Sequence, residues 1–196
     1  MIIRNLNKKY MVIQENLGVE DVRQYICYDM DSAQNTQYCA VCQNLTSVRP
    51  DEIRFLMEQL NNENFSDLVD FFINDDFLCI LIKYHAGIWL ENKISSEKCS
   101  LNERLELVKN LLERVLILNM PDYFFYSAMN INRIKVTKAN EVYFTYDCCD
   151  IAQFDSINFQ DGLKSLADVI EFIFEQEIKQ RSIQELFALV YDLRHD

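Results

Sequence analysis

The chain has 196 residues, of which 49% are hydrophobic, and its 19 basic and 31 acidic residues give a net charge of −12. This acidic balance argues against nucleic-acid binding, because contacts to phosphates need a surface rich in lysine and arginine. Only three glycines occur, Gly18, Gly87 and Gly162, and they stand far apart. A phosphate-binding loop needs clustered glycines so that backbone amides can approach the anion. Composition therefore excludes a basic nucleic-acid-binding protein and a glycine-rich phosphate-loop protein.

The seven cysteines are odd in number and lack the spacing of a disulfide scaffold, which favours a reducing, cytoplasmic location. Cys39 and Cys42 form a C-x-x-C pair, but a zinc site needs two more ligands at suitable spacing. The pair lies in an apolar, extended stretch and is predicted to be two buried strand thiols. The apolar runs are too short to cross a membrane, so we expect no membrane insertion within these residues.

The first half of the chain has the pattern of a small sheet. Runs rich in β-branched and aromatic residues predict strands over residues 10–14, 22–28, 37–43, 68–73 and 77–82. Between the third and fourth strands, Pro50 is followed by two acidic residues. Proline fits the first turn of a helix and acidic side chains complement its N-terminal dipole, so a helix is predicted to begin there.

The second half of the chain changes to helical periodicity. A capping-box sequence at Ser100 predicts the start of a long helix. Its apolar stripe is predicted to comprise Leu101, Leu105, Val108, Leu112, Val115 and Leu116. A short hairpin is predicted over residues 133–145, a helix over residues 163–178 and a final helix after Ser182.

This succession of elements resembles the protein-kinase family over nearly the whole chain. Residues 10–18 are similar to a first kinase strand that ends in the first glycine of the nucleotide loop. Residues 38–43 resemble the strand that carries the phosphate-binding lysine, and residues 77–87 resemble the fifth strand and hinge. Residues 128–147 are similar to the catalytic loop and the metal-binding strand.

The resemblance implies an α+β, two-lobed protein-kinase-like fold. It implies a five-stranded antiparallel N-lobe over residues 1–84 and a shortened helical C-lobe over residues 85–196. We therefore expect a single kinase-like domain.

The resemblance also identifies the vestigial positions of a nucleotide cleft, and these are Gly18, Cys42, Ile82 and Tyr84. Cys42 stands where a kinase has its phosphate-binding lysine and is neutral and too short for that role. Glu20 and Asp21 follow the first glycine and would repel a triphosphate. We therefore expect no cofactor, no kinase activity and weak or absent ATP binding.

The positions that would carry phosphoryl transfer are also altered. Ser127 stands at the position of the catalytic base, and a serine does not accept a proton at neutral pH as an aspartate does. Without lysine, base or glycine loop, little stabilisation of the transition state remains. The sequence predicts an inactive, pseudokinase-type domain that serves as a protein-interaction or signalling scaffold, with no catalytic residues and no bound metal.

Two other interpretations remain open at this point. One is an atypical phosphotransferase or nucleotidyltransferase that uses Asn132 and Asp147 as metal ligands. Asn132 matches a kinase metal ligand, and Asp147 matches the second one unless the alignment shifts by one residue and places Tyr146 there. The other is a purely structural domain without a cleft.

The resemblance and the charge pattern also suggest partners. Small degenerate kinase-like domains occur in bacteria within the cytosolic part of the type VII secretion membrane subunit and as degenerate receptor-kinase domains. The resemblance therefore leaves two alternatives, a free cytoplasmic domain and one that is tethered to a membrane through sequence beyond Asp196. Residues 140–177 contain nine acidic residues and one lysine. This region is either a docking face for a basic protein partner or a solvated acidic surface.

Overall fold

The computed structural model describes residues 1–6, 8–19, 21–32, 36–46, 48–61, 65–96, 99–146 and 156–195. These residues form two compact units, one over residues 1–85 and the other over residues 86–146 and 156–195. The first unit holds a large sheet and one helix. The second holds the remaining described helices and a small sheet.

The first unit is built on a six-stranded sheet. Its described elements are β1 (Ile2–Asn5), β2 (Lys8–Val19), β3 (Val22–Asp29), β4 (Gln37–Asn44), α1 (Pro50–Leu60), β5 (Leu68–Asn74) and β6 (Phe77–Lys83). The spatial order is β1-β2-β3-β4-β6-β5, and all neighbouring strands are antiparallel. Helix α1 begins where the sequence predicts, with Pro50 as its first residue. There the Glu52 carboxylate accepts a hydrogen bond from the Arg49 backbone N–H at 3.0 Å.

The expected protein-kinase-like fold with a five-stranded antiparallel N-lobe is wrong, although the chain does combine α and β structure. The sheet has a sixth strand, β1, in a stretch whose sequence carries little strand signal beyond Ile2 and Ile3. It forms because β2 is much longer than the predicted residues 10–14 and offers a pairing partner, with Ile3 opposite Tyr10. This pairing buries Ile3 to 6% exposure in the core of the sheet.

The sheet is strongly curled, so that its two edge strands, β1 and β5, approach each other. Asn5 donates a side-chain hydrogen bond to the Asp70 carboxylate at 2.9 Å, and the Tyr10 hydroxyl donates to the same oxygen at 3.3 Å. Burial and the negative charge of Asp70 raise the pKa of Tyr10, which keeps its hydroxyl protonated as a donor. The nearly closed, six-stranded sheet thus differs from the five-stranded N-lobe that the resemblance implied.

Strand alternation places one set of side chains on the inner face of the curled sheet. This core cluster comprises Ile3, Tyr10, Tyr25, Cys27, Ala40, Cys42, Phe72, Cys79 and Leu81. The alternate residues of the central strands, such as Val41 and Ile80, are also buried. Both faces of β4 and β6 are therefore covered, which explains why these strands are almost continuously apolar in sequence.

The second unit is mainly helical. Its described elements are β7 (Ile88–Trp89), α2 (Leu90–Ser96), α3 (Leu101–Leu118), α4 (Asp122–Ala128), β8 (Ile134–Val136), β9 (Val142–Phe144), α5 (Phe159–Ile173), α6 (Glu175–Gln180) and α7 (Gln184–His195). The predicted hairpin is confirmed as β8 and β9, and β7 adds a third strand beside β8. The single helix predicted over residues 163–178 is instead two helices, because the chain leaves helical geometry at Phe174. None of the described helices is both long and apolar enough to cross a membrane.

Two arginines join helices that are distant in sequence. Arg104 of α3 forms a two-pronged ion pair with Glu177 of α6, with N–O distances of 2.6 and 2.9 Å, and also donates to the Ile173 carbonyl at 3.0 Å. Arg194 of α7 bonds Asp168 and Glu171 of α5. These contacts fix α6 and α7 against the long helices of the second unit.

Candidate functional site

The predicted cleft positions do not share one surface. Cys42 is 6% exposed and points to the inner face of the sheet, where its Sγ lies 3.2 Å from that of Cys79. Ile82 lies three residues after Cys79 on β6, so alternation directs its side chain to the opposite face, where it is 2% exposed. The structure therefore places these two predicted cleft positions on opposite faces of the sheet.

The two other cleft positions are part of the sheet ladder. Gly18 lies within β2, at a point where the pairing with β3 shifts between Asn16 and Val19. The Tyr84 backbone N–H donates to the Gln37 carbonyl at 3.2 Å, which extends the β4–β6 pairing by one residue.

The predicted catalytic-loop residues are occupied by structural contacts. The Ser127 hydroxyl accepts a hydrogen bond from the Arg133 guanidinium at 2.7 Å, and the Ser127 carbonyl accepts another at 3.0 Å. Asn132 is exposed in the turn before β8, where its backbone N–H donates to the Asn130 side chain. Asp147, its partner in the metal-ligand hypothesis, lies outside the described residues. Within the described part of the chain, no group of three or more His, Cys, Asp or Glu side chains is placed to hold a metal ion.

In residues 140–177, the predicted acidic docking region, most of the described carboxylates form ion pairs with cations of the same chain. Its described acidic residues are Glu141, Asp161, Asp168, Glu171, Glu175 and Glu177. Five of them form ion pairs: Asp161 with Lys164, Asp168 and Glu171 with Arg194, Glu175 with Lys179, and Glu177 with Arg104. Three of the four cations lie outside residues 140–177. Among the described residues of this region, five of the six carboxylates are therefore paired with cations of the same chain.

Helix α3 presents a more distinctive surface, because it has two apolar faces. The face that is buried carries Leu107, Val108, Leu111 and Leu118. The second apolar face carries Leu101, Leu105, Leu112 and Leu116, and we use this name for those four residues below. Leu101 is 38% exposed, Leu105 42% and Leu116 80%, and Leu112 is half-buried.

The predicted stripe of α3 thus differs from the observed core face. Four of the six residues in the predicted stripe belong to the second apolar face. The core instead buries the neighbouring face of the helix, which carries Leu107 and Leu111. The spacing of Leu107 and Leu111 by four residues was the signal for the buried face. Periodicity alone does not say which of two apolar faces of a helix the core will use.

No protein-family model matches this chain, and no curated protein matches it. Function must therefore be inferred from the site itself. A row of exposed leucines along an 18-residue helix can bind another apolar surface, and it offers no group for proton transfer, nucleophilic attack or metal binding.

Proposed function

We propose that this chain is a non-catalytic protein-interaction domain that docks through the second apolar face of α3. The observation that carries the proposal is a row of four leucines, three of them exposed and one half-buried, on a helix whose other apolar face already supplies the core. Exposed apolar rows of this kind mark interaction surfaces, because leaving them in water costs about 25 cal/mol per Å².

The spacing of these leucines favours a second copy of the chain as the partner. They are separated by four, seven and four residues, so the row reads the same in both directions. When two antiparallel helices pack about a two-fold axis, Leu101 meets Leu116 of the other copy and Leu105 meets Leu112. A two-fold interface requires this self-complementarity. The four- and seven-residue spacing also matches the packing of paired helices.

The non-catalytic part of the proposal is supported by the positions that would carry chemistry. Cys42 and Ile82 point to opposite faces of the sheet, and the Ser127 hydroxyl is bonded to Arg133. A cytoplasmic location belongs to the same proposal and is supported by the five described cysteines, all of which are thiols.

Sedimentation equilibrium of the full chain over a range of concentrations tests the docking surface. We expect the wild type to form dimers, and we expect Leu116→Glu and Leu105→Glu to shift it to monomers. Leu6→Glu is the matched control, because Leu6 is fully exposed in the first unit and its substitution should leave the dimer intact. Circular dichroism checks that each variant is folded. A wild type that is monomeric throughout, or a dimer that survives both α3 substitutions, would contradict the proposal.

A thermal unfolding series with Mg-ATP tests the non-catalytic part separately. A ligand that binds only the folded state must raise Tm by mass action. We expect no rise with Mg-ATP, whereas a rise that grows with its concentration would show that a nucleotide site exists.

A further inference from the structure

Cys42 and Cys79 form a close thiol pair in the core of the first unit. They lie on the neighbouring strands β4 and β6 as directly opposed partners, and their Sγ atoms are 3.2 Å apart. Both side chains are buried, at 6% and 4% exposure. The two thiols are 37 residues apart in sequence and are brought together only by the strand register.

The hydrogen-bond pattern shows that this pair occupies the type of position that suits a disulfide. At one end of the β4–β6 ladder the Leu45 N–H donates to the Asp76 carbonyl, and at the other end the Tyr84 N–H donates to the Gln37 carbonyl. Hydrogen-bonded and non-hydrogen-bonded pairs alternate along an antiparallel ladder. Because Leu45 with Asp76 and Gln37 with Tyr84 are hydrogen-bonded pairs, every second pair between them is hydrogen-bonded, and Cys42 with Cys79 is one of the non-hydrogen-bonded pairs.

Side chains approach each other most closely at such pairs, where the Cα atoms are about 4.5 Å apart. Disulfides are usually found at Cα separations of about 4.4–6.8 Å. The backbone therefore needs little movement to join the two sulfurs.

We propose that Cys42 and Cys79 are a redox modification site that hydrogen peroxide converts to a cross-strand disulfide. One sulfur attacks the peroxide, so that an S–O bond forms, the O–O bond breaks and one water leaves. The second sulfur then attacks the first, the S–S bond forms, the S–O bond breaks and a second water leaves. The thiols lose two electrons and two protons, and hydrogen peroxide is reduced to two water molecules.

Either sulfur of the pair can donate the S–H hydrogen bond to the other. Because the thiolate is the nucleophile, the sulfur that loses its proton first attacks the peroxide, and the other sulfur then resolves the sulfenic acid.

Peptide mapping of the full chain after treatment with hydrogen peroxide tests this site. Trypsin does not cleave before Pro50, so Cys42 lies in the peptide of residues 24–54 and Cys79 in that of residues 55–83. Unreacted thiols are alkylated after denaturation and before digestion. We expect these two peptides to become linked by a disulfide that reduction breaks. The mass of the linked species should equal the summed masses of the two free thiol peptides minus two hydrogens.

Single substitutions identify the partner, because the first peptide also contains Cys27 and Cys39. The link should be lost in Cys42→Ala and in Cys79→Ala, and it should persist in Cys39→Ala and Cys27→Ala. In the wild type, peroxide treatment should raise the Tm of the first unit in a manner that dithiothreitol reverses. Absence of the link after peroxide treatment, over-oxidation of both sulfurs in its place, or a link that persists in Cys42→Ala would overturn the proposal.

Discussion

The ion pair between Arg104 and Glu177 offers a direct test of how the second unit is held together. Breaking a buried pair by removing one partner costs about 3–5 kcal/mol, whereas exposed pairs contribute about 0–1 kcal/mol. Here the two side chains are only 17% and 16% exposed, and the pair joins α3 to α6 through two hydrogen bonds. Glu177→Gln keeps the shape but leaves the guanidinium without its counter-charge, so we expect a loss of about 2–3 kcal/mol.

Glu175→Gln is the matched control, because Glu175 lies on the same helix and pairs with Lys179 in an arrangement that is 60–70% exposed. We expect the control to lose less than about 0.5 kcal/mol. Urea unfolding followed by the fluorescence of Trp89, the single tryptophan, reports on the second unit. With a denaturant slope of about 2 kcal/mol per molar urea, Glu177→Gln should lower the midpoint by about 1 M. Equal midpoints for the two variants would refute the argument that burial sets the strength of this pair.

Two further predictions concern the same unit. The Arg104 hydrogen bonds hold the pKa of Glu177 below its ordinary value. The ion pair therefore contributes its full stability at pH values above the unfolded-state pKa of about 4.3. That contribution is lost as the pH falls through the lower pKa of the folded state. Urea midpoints measured across pH should therefore show the gap between wild type and Glu177→Gln constant near neutrality and closing below about pH 4. A gap that stays open in acid would contradict this reasoning. Gly162→Ala should lower Tm, because a Cβ there would lie 2.2 Å from the buried Phe125 ring, and the overlap of about 1–3 kcal/mol exceeds the gain of about 1 kcal/mol in helix propensity. Combining it with Phe125→Leu should recover part of the loss, whereas a Gly162→Ala variant more stable than wild type would show that the helices move apart freely.

The parts of the fold that depend on residues adjacent in sequence were predicted correctly. Pro50 begins α1, and the capping box at Ser100 forms with the Ser100 hydroxyl and the Glu103 carboxylate bonded to each other's backbone N–H groups. The turn between β8 and β9 also lies where it was predicted. Each of these features needs only a few residues in the right local order, so a single sequence contains the necessary signal.

The order of elements was less informative about the whole fold. A run of three strands, a helix and two strands suggested a kinase-like lobe, but it could not reveal that β1 would add a sixth strand or that Asp70 would help to join the sheet edges. The joining of the sheet edges depends on contacts between residues 65 and 60 positions apart, Asn5 and Tyr10 with Asp70. Local periodicity carries no information about such contacts.

The candidate sites show the same division. The sequence by itself identified Cys42 as a buried strand thiol and the leucines of α3 as an apolar stripe. Strand pairing brings Cys42 opposite Cys79, and packing buries the other face of α3 and leaves Leu105 and Leu116 exposed; neither result follows from local pattern. The reason is physical: periodicity determines which residues share a face of a strand or helix, whereas the register of pairing and the packing of the rest of the chain determine what that face contacts.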